Sequence, residues 1–264
     1  MSEEIRQQFE AGLALHRAGQ LGLAESHYSR VVKLDPKQAD AWHLLGVVAF
    51  QGGQHAKAIK RYRRALELRP VFAQAWNNLG IAQKAQGQSE DARTSFERAL
   101  SEQAQYAEAA YNLALLLEAG GDLAGAETHY RQALAWRPDS LGTLTNLGNL
   151  LVRTRRAEEG LPMLEHVFAR EPTPDHAGNL ALALIELRRY EAARGLAQRA
   201  VAGAPASSAW WGALGTAARL QGDLTAAVAP LRQAAILSPA DAMLRWNWRW
   251  PCARRVTRPA PALR

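Results

Sequence analysis

Cysteine is almost missing from this chain: Cys252 is the one example in 264 residues. A single thiol excludes an internal disulfide and any metal site built on several cysteines. Long apolar runs are missing as well, since no stretch approaches the ~18 residues that a membrane span requires. The opening MSEEIRQQFE has no basic region followed by an apolar core, so it does not read as a secretory signal. These absences point to a cytoplasmic protein without a membrane partner. Catalytic signatures are lacking too. The seven histidines are scattered away from metal-ligand spacing, and there is no HExxH, no glycine-rich phosphate loop and no nucleophile elbow. The expectation is therefore no enzyme, no catalytic residue, no metal and no cofactor.

The net charge of +7 suggests a nucleic-acid partner until its distribution is read. Arg245, Arg249, Arg254, Arg255, Arg258 and Arg264 fall in the last twenty residues, where no acid stands. The other 26 basic residues face 25 acids, so the body is nearly neutral. That is no footprint of a nucleic-acid groove.

What the chain does have is a period. Pro36, Pro70, Pro138, Pro172, Pro205 and Pro239 are separated by 34, 68, 34, 33 and 34 residues, with Ala104 in the missing place. With the proline at position 32, repeats start near 5, 39, 73, 107, 141, 174 and 208. Position 4 holds Trp42, Trp76 and Trp211, and position 7 is nearly always Leu. Position 8 is small (Gly12, Gly46, Gly80, Ala114, Gly148, Ala181, Gly215), as is position 20 (Ala24, Ala58, Ala92, Ala126, Gly160, Ala193, Ala227). Position 24 is bulky in six copies: Tyr28, Tyr62, Phe96, Tyr130, Leu164 and Leu231, with Ala197 the exception. Apolar residues at 4, 7 and 11, and again at 20, 24 and 27, recur at helical spacing. Each repeat thus reads as two amphipathic helices joined by turns such as QGGQ and AGGD. The proline biases the residue before it away from the α region and ends the second helix. One such pair cannot bury its own apolar face, so the copies must stack.

This pattern resembles the tetratricopeptide repeat family, W-x2-L-G-x2-Y…A-x3-F…A…P. The family's Tyr at position 11 is replaced by Leu15, Ala49, Gln83, Leu117, Leu151, Leu184 and Ala218. The resemblance implies an all-α solenoid of about seven helix-turn-helix repeats over residues 5–241, wound as a right-handed superhelix. It also implies a scaffold or adaptor that binds a protein or peptide, with the first helix of each pair lining a concave groove.

Four consecutive repeats carry asparagine at position 6: Asn78, Asn112, Asn146 and Asn179. A carboxamide offers both a donor and an acceptor, the pair that matches an extended peptide backbone. The repeat domain of O-linked N-acetylglucosamine transferases uses such a ladder, and the resemblance carries that peptide-binding role to these four positions. Two readings stay open: peptide contact, or a bond to a neighbouring helix. Asn77, at position 5, is the weaker candidate. The row Val47, Ile81, Leu115, Asn149 and Leu182 at position 9 reads as inter-repeat packing. The basic run KAIKRYRR, residues 57–64, reads as a solvated face. A carboxylate clamp of the co-chaperone kind is disfavoured, because only Asn78 occupies a matching position. The alternative function is the substrate-recognition arm of a glycosyltransferase-like enzyme whose catalytic domain is absent from this chain.

After Pro239 an eighth repeat starts over 242–247, and then the text becomes WRWPCARRVTRPAPALR over 248–264. One base restored after Asn247 turns this basic stretch back into repeat-like sequence, so a frame slip is one explanation. A basic tail that binds something acidic is the other. In either case the face around Leu231 and Ala234 is expected to be poorly covered, which is compatible with self-association through the C-terminal end.

Overall fold

The computed structural model describes residues 2–240, which are helices and the turns between them, with no strand among the described residues. The helices are α1 (Glu3–Arg17), α2 (Leu21–Leu34), α3 (Ala39–Gln51), α4 (His55–Leu68), α5 (Ala73–Ala85), α6 (Ser89–Glu102), α7 (Ala107–Ala119), α8 (Leu123–Trp136), α9 (Leu141–Arg153), α10 (Ala157–Arg170), α11 (Pro174–Glu186), α12 (Tyr190–Gly203), α13 (Ser208–Leu220) and α14 (Leu224–Leu237). The chain divides into two compact units, the first ending at Pro138 and the second beginning at Asp139. The all-α helical-repeat class read from the sequence is what is found. The start of an eighth repeat and the stretch 248–264 lie outside the described residues.

Within a repeat, positions 8 and 24 meet. A Cβ added at Gly46 would stand 2.5 Å from the Tyr62 ring, and one at Gly80 would stand 2.6 Å from Phe96. The same pairing joins Gly12 to Tyr28, Gly148 to Leu164 and Gly215 to Leu231. In these five repeats glycine leaves room for the bulky residue of the second helix against the first helix's backbone. Tyr28, Tyr62 and Phe96 are buried at this contact, and Tyr130 is buried in the repeat whose position 8 is Ala114. Successive repeats are joined by a shared core: Ala49 and Val47 of α3, Tyr62 and Leu66 of α4, and Ala75 and Leu79 of α5 form one cluster. Ile81 packs on the next, with Phe96, Leu113 and Leu116. Val47 and Ile81 of the position 9 row thus pack between repeats.

The turn inside each repeat has a left-handed residue at position 15. Five are glycine (Gly19, Gly53, Gly87, Gly121 and Gly222), and two are Arg155 (φ 63°) and Arg188 (φ 60°). Between repeats the tryptophans of position 4 close the joint. Trp42, Trp76 and Trp211 each donate Nε1–H to the carbonyl of the proline six residues earlier, Pro36, Pro70 and Pro205, at 2.8–2.9 Å.

One expectation is corrected here. Leu231 and Ala234 are fully buried, because Leu231 lies against Gly215 of its own repeat. At the end of α14 the exposed apolar residues are instead Ile236 (59%) and Leu237 (37%).

Candidate functional site: the first-helix face

In the first unit the first helices α3, α5 and α7 lie side by side. Asn78 and Asn112 sit on α5 and α7, each half-buried. Both carboxamides reach back to position 5 of the preceding repeat. Asn78 Nδ2 lies 2.9 Å from His43 Nε2, and Asn112 Nδ2 donates to Asn77 Oδ1 at 2.9 Å. The remaining N–H and the oxygen of each side chain make no hydrogen bond among the described residues. Asn77 is fully buried, and its own Nδ2 lies 3.4 Å from Glu108 Oε1 as donor. A helix tolerates this poor helix former because the carboxamide joins two repeats. Sequence reasoning ranked Asn77 below its neighbour. The signal that could have found it is the pairing of positions 5 and 6, obscured because the equivalent residue one repeat earlier is a histidine.

His43 shows what this burial does to a titratable group. Desolvation holds its pKa down at about 4, helped by Arg69 and opposed by Asp40. The imidazole is therefore neutral near pH 7, and its bare Nε2 can accept the Asn78 N–H. Its ring packs 4.8 Å from Phe72, which also stacks under the Arg69 guanidinium at 3.6 Å. Tyr106 is pushed up to about 12, by burial first and then by Glu108.

In the second unit Asn146 on α9 and Asn179 on α11 are also half-buried. Asn179 has no hydrogen-bond partner among the described residues. The next repeat departs from the pattern: Trp210 covers Gly178, where a Cβ would stand 2.4 Å from the ring, and donates to Asp175 at 2.9 Å. The basic run 57–64 is largely paired. Lys57 and Arg61 share Glu25 at 2.8 and 2.7 Å, and Arg64 meets Glu67. No group of three or more potential metal ligands occurs among the described residues. No helix among them is long and apolar enough to cross a membrane.

The family pattern described as Tetratricopeptide repeat matches residues 77–140, 145–208 and 179–242, and that described as TPR repeat matches 48–87. The chain belongs to the tetratricopeptide repeat family. Solved tetratricopeptide repeat structures share its fold. A protein from Parabacteroides merdae ATCC 43184 is 14% identical over 95% of this chain and 100% of its own, with a TM-score of 0.65. Cut9–Hcn1, a hetero-tetramer of the APC/C, is 15% identical over 91% of this chain and 48% of its own, with a TM-score of 0.70. YrrB, a TPR protein described as having an unusual peptide-binding site, is 17% identical over 72% of this chain and 97% of its own, with a TM-score of 0.62. At these identities the likeness is one of fold. No curated protein matches the chain.

Proposed function

We propose that this tetratricopeptide repeat chain is a non-catalytic protein-interaction scaffold that holds an extended peptide segment along its first helices. Asn78 and Asn112 serve as backbone anchors in the first unit, and Asn146 and Asn179 are assigned the same role within the second. The observation that carries the reading is the state of Asn78 and Asn112. Each carboxamide is held by one bond to the preceding repeat, yet stays half-exposed with an N–H and a C=O to offer. Fixing the side chain in advance lowers the ordering cost of binding. The two earlier readings of the row are then compatible: the bond to the neighbouring helix orients the group that meets the peptide. The peptide-binding site attributed to YrrB is a precedent on the same fold.

The test starts from a peptide selected on the full chain from a random library. N-methylation of its backbone amides one at a time should weaken binding at spaced positions, by about 1 kcal/mol for each lost bond. Because the change is on the peptide, folding of the protein is not disturbed. Uniform tolerance of N-methylation would overturn the backbone-anchor reading.

A further inference from the structure

Two intra-repeat turns of the second unit depart from the pattern that the other five share. Position 15 takes a left-handed backbone in every repeat, and five copies supply glycine. Arg155 and Arg188 hold the same conformation with a Cβ, a strained arrangement for an L-residue. The next residue, position 16, is the N-cap of the second helix. It is Gln20, Gln54, Gln88, Asp122 and Asp223 in five copies, and Asp122 and Asp223 accept from Gly125 N and Ala226 N at 2.9 Å. The three glutamines make no side-chain cap, and neither do Arg156 and Arg189 in the other two copies. Arginine has no acceptor to cap with, and its charge opposes the positive end of the helix dipole. Two unfavourable choices thus recur in register in two consecutive repeats. Local rules broken together mark sites kept for something other than folding.

Nearby acids compensate only in part. Arg155 pairs with Glu186 at 2.8 Å, and Arg156 with Glu159 at 2.6 Å, both as partly exposed pairs. Arg188 and Arg189 are exposed and make no ion pair among the described residues. They line a hollow of about 620 Å³ with Tyr190, Glu191, Ala192 and Gln221. Asp223, beside Gln221, is already taken by Arg194 at 3.3 Å. Glu191, and Glu158 one repeat earlier, are the remaining acids of this edge.

We propose that the turn edge of the second unit, centred on Arg188 and Arg189, docks a carboxylate-rich segment of a partner protein. The guanidinium fork matches a carboxylate with two parallel hydrogen bonds. Arg188 on the left-handed turn and Arg189 at the start of α12 are both exposed where they line the hollow. The interspersed Glu158 and Glu191 disfavour a continuous polyphosphate and suit separate carboxylates that each meet one arginine pair. Glu186 and Glu159 are surface partners of the kind contributing little, so an incoming acid can displace them.

The experiment titrates the full chain into fluorescein-labelled decaglutamate at low salt. Binding should weaken as salt rises. Arg188→Gly with Arg189→Gln should weaken it by about tenfold or more, while raising the thermal midpoint of the protein. Arg170→Gln, which removes one charge at the end of α10 where the double variant removes two, should leave binding unchanged. Absence of binding, or equal weakening by Arg170→Gln, would overturn the proposal. Tighter binding of an oligothymidylate than of decaglutamate would also overturn it, by giving the edge to nucleic acid. A lowered midpoint in the double variant would remove the strain argument that singles out these arginines.

Discussion

The first unit, α1–α8, follows the rules of its repeat closely, and the second, α9–α14, departs from them. In the first unit every intra-repeat turn has glycine at its left-handed position, and every second helix presents an aromatic ring to the first. In the second, arginine takes two of the three turn positions, Leu164, Ala197 and Leu231 replace the rings, and Pro162 and Pro230 sit inside α10 and α14. An interior proline removes a helix hydrogen bond and crowds the preceding turn, at a cost of about 3 kcal/mol in an isolated helix. Both units are nevertheless built from the same paired helices. The difference teaches that a small residue at position 8 and the shared inter-repeat core are what both units keep. Turn chemistry, caps and ring size are adjustable, because a repeat answers mainly to its nearest neighbours.

The largest expected effect tests that small residue. Gly80→Leu places its Cβ inside the contact distance of the Phe96 ring, and overpacking of this kind costs about 1–3 kcal/mol or more. Hydrogen exchange should accelerate in α5, α6 and their neighbours and not throughout the chain. A uniform rise over both units would break the local picture.

Next comes acid. His43 is depressed from 6.5 to about 4 in the folded state. A histidine kept neutral by folding stabilises fully above its unfolded pKa. That stability is lost as pH falls from 6.5 towards 4, because the unfolded chain takes up the proton first. At about 1.36 kcal/mol per unit, the loss is up to about 3 kcal/mol. It should be read as a slope of unfolding free energy with pH in the first unit, one that disappears in His43→Gln. A slope that persists there would assign the acid sensitivity elsewhere.

The asparagine row separates the units more finely. Asn112→Ala removes the donor to the buried oxygen of Asn77 and should cost about 1–3 kcal/mol in chemical denaturation. Asn179→Ala, which removes no hydrogen bond among the described residues, should be neutral or slightly stabilising, since alanine is the better helix former. Equal costs would erase the contrast. The smallest effect is a gain: Arg155→Gly should stabilise the second unit by about 1 kcal/mol, by relieving a left-handed arginine. A loss instead would show that the pair with Glu186 outweighs the backbone strain.

The repeat was legible because its signals are positional. A proline every 34 residues and a small residue facing a bulky one sixteen positions later survive in the text whatever their neighbours are. The bonds that lock one repeat to the next were not legible. Asn78 finds His43, Asn112 finds Asn77, and Trp76 finds the Pro70 carbonyl. Such contacts depend on the rotation between adjacent helices, which a period does not encode. Leu231 misled for a related reason: its partner, Gly215, lies within its own repeat. The two arginine turns were invisible as a feature until their backbone was known to match that of five glycines.

The indole–proline bonds give the chain built-in spectroscopic reporters. Trp42, Trp76 and Trp211 each sit across a joint between repeats, with the indole N–H held by a backbone carbonyl. Each such proton should resonate downfield and exchange slowly with solvent while its joint is closed. Two of the joints belong to the first unit and one to the second. Three side-chain signals in one nuclear magnetic resonance spectrum would therefore follow the opening of individual joints as denaturant is added, without any label.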